Sequence, residues 1–129
     1  MKSYRKELQF PLSAALVNIT RRVEECVRES GVQEGLVLAH ANYVWASVII
    51  HDGRLEYVEG YFTRWLEQLA PNDGDESCLK QRQIMGREVV VAITNRKLDL
   101  GTLENIYYGQ LYKGSTTRDG RVLVKIIGE

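Results

Sequence analysis

The chain reads as an α+β protein built mainly of antiparallel β-sheet, and three observations predict this. Apolar residues alternate at period two in "KELQF", "EVVVAIT" and "RVLVKII", the pattern of half-buried strands. Two other segments, starting near Thr20 and Leu55, place apolar residues at helical spacing instead. Short turn-like segments separate the C-terminal strands, which favours antiparallel neighbours. About six strands and two main helices are expected, in one domain over residues 1–129.

The first strand carries Leu8, Phe10 and Leu12 on one face, and Pro11, which lacks an N–H, suits a sheet edge. Thr20 is placed to cap a helix running to about Ser30, with Val23, Cys26 and Val27 inward. Gly31 then closes that helix in the left-handed conformation, and Val32 folds back on it. "EGLVLAHA" and "NYVWASVII" follow as strands. The second is apolar on both faces, which predicts the middle of a sheet with material packed on each side. Leu55, Val58, Phe62, Trp65, Leu66 and Leu69 fall on one face of a second helix, ended by Pro71. "PNDGDES" predicts a loop over Asn72–Ser77, followed by a short helical segment to Met85. After Gly86 come "EVVVAIT", "NIYYGQLY" and "RVLVKII" as strands, the last preceded by the hairpin signal Asp119-Gly120.

Composition narrows the function classes. Lys plus Arg and Asp plus Glu both number 17, so no strong basic field is available to hold nucleic acid. No apolar stretch reaches the ~18 residues that a membrane span needs, and "MKSYRKELQF" lacks the apolar core of a signal peptide. Cys26 and Cys78 match no spaced metal or redox motif. Buried free thiols in a reducing cytoplasm are therefore expected.

Chemistry-bearing motifs are sparse. No phosphate-cradling GxGxxG or GxxxxGK[ST] loop is present, and neither is a GxSxG elbow nor an HExxH helix, so no cofactor is expected. The two histidines are His40 and His51. With Asp52 they could offer three ligands, but nothing fixes a common geometry and no metal is expected. Glu24-Glu25 and Asp73, Asp75 and Glu76 read as solvated carboxylates. Tyr107, Tyr108 and Tyr112 read as cross-strand packing.

The stretch "KLDLGTLENIYYGQLYKGSTTRDGRVLVKIIGE" adds more: Leu98, Gly101, Thr102, Ile106, Arg121, Gly128 and Glu129 fit the pattern that closes the YjbQ-like family. Upstream, "NITRRVEECVRESGVQEGLVLAH" and the Ile84–Gly86 "IMG" resemble its helix, its following strand and its Leu-Gly pair. The resemblance covers nearly the whole chain. It implies a YjbQ-like fold, a homotrimer with a pocket near the subunit contacts, a small phosphorylated ligand, and secondary thiamine-phosphate synthase activity. The departures fall on the chemistry. The family's histidine and two hydroxyl positions become Tyr43, Val44 and Trp45, while Ala46 and Ser47 keep the small pair. His51-Asp52 stands where Asn-Glu is usual, Leu103-Glu104 replaces Trp-Gln, and Gln110 replaces a glutamate. A further histidine position falls near Cys78 or Leu79.

The residues lost are those able to shuttle protons near neutral pH. The expectation is thus a catalytically degenerate member that binds a small ligand or acts as an interaction module, with Tyr43, Val44 and Trp45 re-used as core. Ligand contacts are expected from Tyr43, Ser47, His51, Asp52, Thr102, Glu104 and Arg121. Trp45, Tyr107 and Tyr108 are expected to help bury the subunit contacts. The alternative is an altered thiamine-phosphate synthase, joining a pyrimidine pyrophosphate to a thiazole phosphate. It would use His51, Asp52 and Glu104, joined by Arg121 or Arg118.

Overall fold

A computed structural model of the chain describes residues 1–12, 14–54, 57–70, 75–110 and 119–129, with the backbone alone at 57–59 and 75–78. Among the described residues, eight strands form two sheets in which every pairing is antiparallel. The larger contains β1 (Lys2–Pro11), β3 (Gly35–Ala41), β5 (Glu88–Thr94), β6 (Lys97–Leu98) and β8 (Asp119–Gly128), in the order β1-β8-β3-β5-β6. The smaller contains β2 (Leu16–Asn18), β4 (Ala46–Asp52) and β7 (Glu104–Gln110), in the order β2-β7-β4. Helix α1 spans Thr20–Ser30. A π-helical turn at Tyr57–Phe62 runs into α2 (Thr63–Leu69), and α3 (Asp75–Met85) follows.

The sheets meet face to face. Alternate residues of the large sheet, Leu8, Val37, Ala39, Val91, Val124 and Ile126, pack against Val48, Ile106 and Tyr108 of the small one. Phe10 meets Tyr108 edge-on, ring centroids 5.3 Å apart at 89°. Val23, Cys26 and Val27 of α1 join this core. Cys26 is a buried free thiol whose pKa burial pushes up, as befits an inert core cysteine. On the opposite face of the small sheet, Leu16, Ile49 and Tyr107 pack beneath Phe62 and Met85.

Several expectations hold. Pro11 lies on an edge strand, and "EVVVAIT" is β5 as read. Gly31 closes α1 at φ +70°, its N–H donating to the Arg28 carbonyl. Others are corrected. Thr20 is the first residue of α1 rather than its cap: Asn18 Oδ1 accepts from both the Thr20 backbone N–H (3.0 Å) and its hydroxyl (2.7 Å). The Thr20 oxygen in turn accepts from the buried N–H of Ile106 (2.8 Å), tying α1 to β7.

β4 is apolar on both faces, yet it is the edge of the small sheet. One face meets the large sheet and the other lies under the helices, so two-sided burial arises without a central position. The Asn42–Trp45 part of the predicted strand is a turn, closed by the Ala46 N–H donating to the Tyr43 carbonyl at 3.1 Å. Val44 is about half exposed and Trp45 only partly buried, so these positions are not core.

The second predicted helix is a π-turn followed by α2. Leu66 is buried, but Trp65 and Leu69 face outward. Asp75–Ser77 belong to α3 rather than to a loop, giving a third helix. Acidic and hydroxyl residues favour the first turn of a helix as well as loops, which explains the misreading. The side chain of Cys78 and residues 111–118, with Tyr112 and Arg118, lie outside the described residues.

Asp119-Gly120 lies inside β8, opposite Pro11 and Phe10. β7 and β8 occupy different sheets, so no two-stranded hairpin joins them. Gly120 is there because a Cβ would meet the Phe10 ring at 2.2 Å. Among the described residues, no helix is long and apolar enough to cross a membrane.

Candidate functional site

Strand alternation decides which polar residues can meet. Asn18, Asn105 and His51 share the outer face of the small sheet with Leu16, Tyr107 and Ile49. His51 sits directly opposite Asn105 in the β4–β7 register. At this end of the sheet the N-terminus of α1 rises beside β7, fixed there by the Thr20–Ile106 hydrogen bond. Between them opens a cleft of about 430 Å³, lined by Asn18, Thr20, Arg21, Glu24 and Asn105. Among the described residues the side chains of Arg21 and Asn105 have no hydrogen-bond partner, so a guanidinium and an amide are available to a ligand. The N-terminus of α1 adds a positive dipole end.

The predicted ligand contacts are scattered relative to this cleft. His51 borders it across Asn105, but its ring lies against Phe62, centroids 4.8 Å apart. Asp52 and Glu104 are opposed in register but fall on the other side of the strands from His51, so the three form no cluster. Asp52 is held by Arg54, whose Nε and Nη2 donate to the carboxylate at 3.1 and 2.9 Å. Those bonds lower its pKa. Glu104 Oε1 accepts from the Gly101 N–H at 2.7 Å, closing the turn that leaves Thr102 exposed. Ser47 is buried opposite Gly109. Arg121 is exposed on β8, in the other sheet. The other histidine, His40, is also in the large sheet, its Nδ1 2.7 Å from Glu88. Among the described residues no group of three or more His, Cys, Asp or Glu is placed to hold a metal ion.

Tyr43 lies near a second polar feature, at the opposite end of the small sheet. The buried Tyr108 hydroxyl donates to Gln110 Oε1 at 2.6 Å. Burial pushes its pKa up to about 12, opposed by the facing backbone N–H of Arg121, while Tyr43 adds to the rise. A free tyrosine titrates near 10, so the native state keeps this proton longer than the unfolded chain. The stabilisation is whole below about pH 10 and is lost as pH rises through about 12. Tyr108→Phe is expected to flatten that part of the curve of melting temperature against pH. An unchanged alkaline decline would contradict it. Tyr107 and Tyr108 are buried within the chain itself, not exposed as the apolar-aromatic surface the sequence predicts.

The cleft residues were missed in the sequence because each is ordinary in isolation. Asn18 and Asn105 come together only through the pairing of β2 with β7.

These features define an antiparallel two-sheet α+β protein with a polar cleft where its first helix meets the smaller sheet. Its sequence over residues 6–129 matches the family described as UPF0047 protein YjbQ-like, and the chain belongs to that family. It is 28% identical over 121 residues to a UPF0047 protein of Archaeoglobus fulgidus, covering 87% of this chain and 90% of the relative. It is 24% identical to the UPF0047 protein YugU of Bacillus subtilis, covering 80% and 83%. The fold is similar to that of a crystallised YbjQ-like protein of unknown function from Sulfolobus solfataricus, with TM-score 0.88, 22% identity and 99% coverage of both chains. A structure from Clostridium acetobutylicum aligns with TM-score 0.84 and 28% identity, covering 96% of this chain and 99% of that one.

Proposed function

We propose that this is a catalytically degenerate member of the family, a cytoplasmic module that binds a small phosphorylated ligand in the cleft between α1 and β7. The make-up of that cleft supports the reading: a guanidinium and two amides able to grip an oxyanion or hydroxyls, with no histidine or buried acid among the described residues that line it. His40 is engaged by Glu88, and His51 packs on Phe62 instead of entering the cleft. A buried free thiol at Cys26 suits a reducing compartment.

Assembly as a homotrimer belongs to the same proposal. The outer face of the large sheet supports it: Leu36, Val90 and Ile127 are each about half exposed there, and Leu36 is paired in register with Ile127 and neighbours the Leu38–Val90 pair.

The test is calorimetric titration of the purified protein with ribose 5-phosphate, alongside an assay for thiamine-phosphate formation and light scattering. Expected are saturable binding weakened about tenfold by Arg21→Ala, no turnover, and a mass three times the 14.7 kDa chain. Binding indifferent to Arg21→Ala would refute the cleft. Turnover abolished by His51→Asn would establish the altered synthase instead.

A further inference from the structure

Beyond that cleft, a second concavity of about 560 Å³ opens on the far side of Glu24, between the C-terminal half of α1 and the β5–β6 hairpin. Its charged lining is Arg28, Arg96 and Lys97 against the single carboxylate of Glu24, and Val27 and Leu98 supply apolar surface. None of the three cations has a side-chain partner among the described residues. The nearby acids are occupied: Glu34 Oε1 accepts from the Asn95 N–H at 3.0 Å, and Asp99 Oδ2 from the Thr94 hydroxyl at 3.2 Å.

The hairpin itself points the same way. Thr94 pairs with Lys97, leaving Asn95 and Arg96 as a two-residue turn with φ values of +52° and +70°. Such turns favour asparagine then glycine, because the second position is strained for any residue with a Cβ. Here it carries arginine. The Arg96 N–H donates to the Gln33 carbonyl at 2.9 Å, so the turn is anchored and the arginine is held at the mouth of the concavity. A glycine would form the same turn without strain, so what arginine adds at this position is its side chain.

We propose that this concavity is a second binding site, which takes a small organic dianion with an apolar body. Arg28, Arg96 and Lys97 bind the charge, and Val27 and Leu98 meet the body. It is separate from the phosphate-ester cleft at Arg21 and stands or falls independently of it.

The experiment follows backbone amide NMR shifts in the full chain during titration with phenyl phosphate, and in parallel with inorganic phosphate. Expected are saturable shifts at residues 24–28 and 95–98, with phenyl phosphate binding about tenfold more tightly than phosphate alone. Arg96→Gly is expected to weaken phenyl phosphate about tenfold while the melting temperature holds or rises by about 2 °C. The double variant Arg28→Gln, Lys97→Gln weakens binding further. Shifts confined to Asn18, Arg21 and Asn105, equal affinity for the two probes, or unchanged affinity in Arg96→Gly would each overturn the proposal. So would a melting temperature that falls along with the affinity in that variant.

Discussion

Gly35→Ala is expected to cost about 3 kcal/mol of stability, the largest single effect foreseen for this fold. Gly35 opens β3, the middle strand of the large sheet, and is paired with Gly128 of β8. A Cβ there would lie 2.1 Å from the Ile127 carbonyl oxygen and 2.9 Å from both the Gly128 Cα and Val32 Cγ1. Two of those three are backbone atoms of a paired strand. They move only if the β3–β8 ladder gives, and that ladder carries Val37, Ala39, Val124 and Ile126 into the core. Gly60→Ala is the control, because the nearest atom to its Cβ is the flexible end of Arg64 at 3.6 Å. Urea denaturation should show a sharply lowered midpoint for Gly35→Ala and little change for Gly60→Ala. A Gly35→Ala midpoint close to that of the parent would mean that the β3–β8 ladder relaxes more readily than its pairing implies.

The second large effect joins stability to the site. Thr20→Val keeps the shape of the side chain but removes the oxygen that accepts the buried N–H of Ile106. Leaving that donor unsatisfied is expected to cost about 2 kcal/mol. The same change takes one of its two described donors from Asn18 Oδ1, freeing an amide that lines the cleft. Ribose 5-phosphate binding should weaken about threefold even where the protein remains fully folded. Thr20→Ser, which retains the oxygen, should restore both. If Thr20→Ser and Thr20→Val behave alike, the hydroxyl is not the tie between α1 and β7.

Much of the fold was legible because its signals are local. β5, the inward face of α1 and its glycine stop follow from periodicity and from the backbone freedom of one residue. What was misread depends on partners distant in sequence. Nothing within "ASVII" distinguishes burial between two strands of one sheet from burial between a sheet and a helical layer. Tyr43, Val44 and Trp45 have strong strand preferences, yet the chain must turn there to pass from one sheet to the other, and that need overrides local propensity. The same holds for chemistry. His51 and Asp52 are adjacent in sequence, but strand pleating sends them to opposite faces. Asn18 and Asn105, 87 positions apart by their numbering, line one cleft.

The place of β8 has a consequence for the protein during synthesis. This strand is made after the other seven described strands, yet it lies between β1 and β3, both finished long before. While the chain is still emerging from the ribosome, β1 and β3 have no strand to bridge them, and Leu8, Phe10 and Val37 have no completed sheet to cover. Closing the large sheet therefore waits for β8 to emerge and then requires pairing with strands made far earlier, a slow step by contact-order arguments. Nascent chains stalled short of Val122 should be bound by chaperones and open to protease, and should become resistant only when β8 is complete.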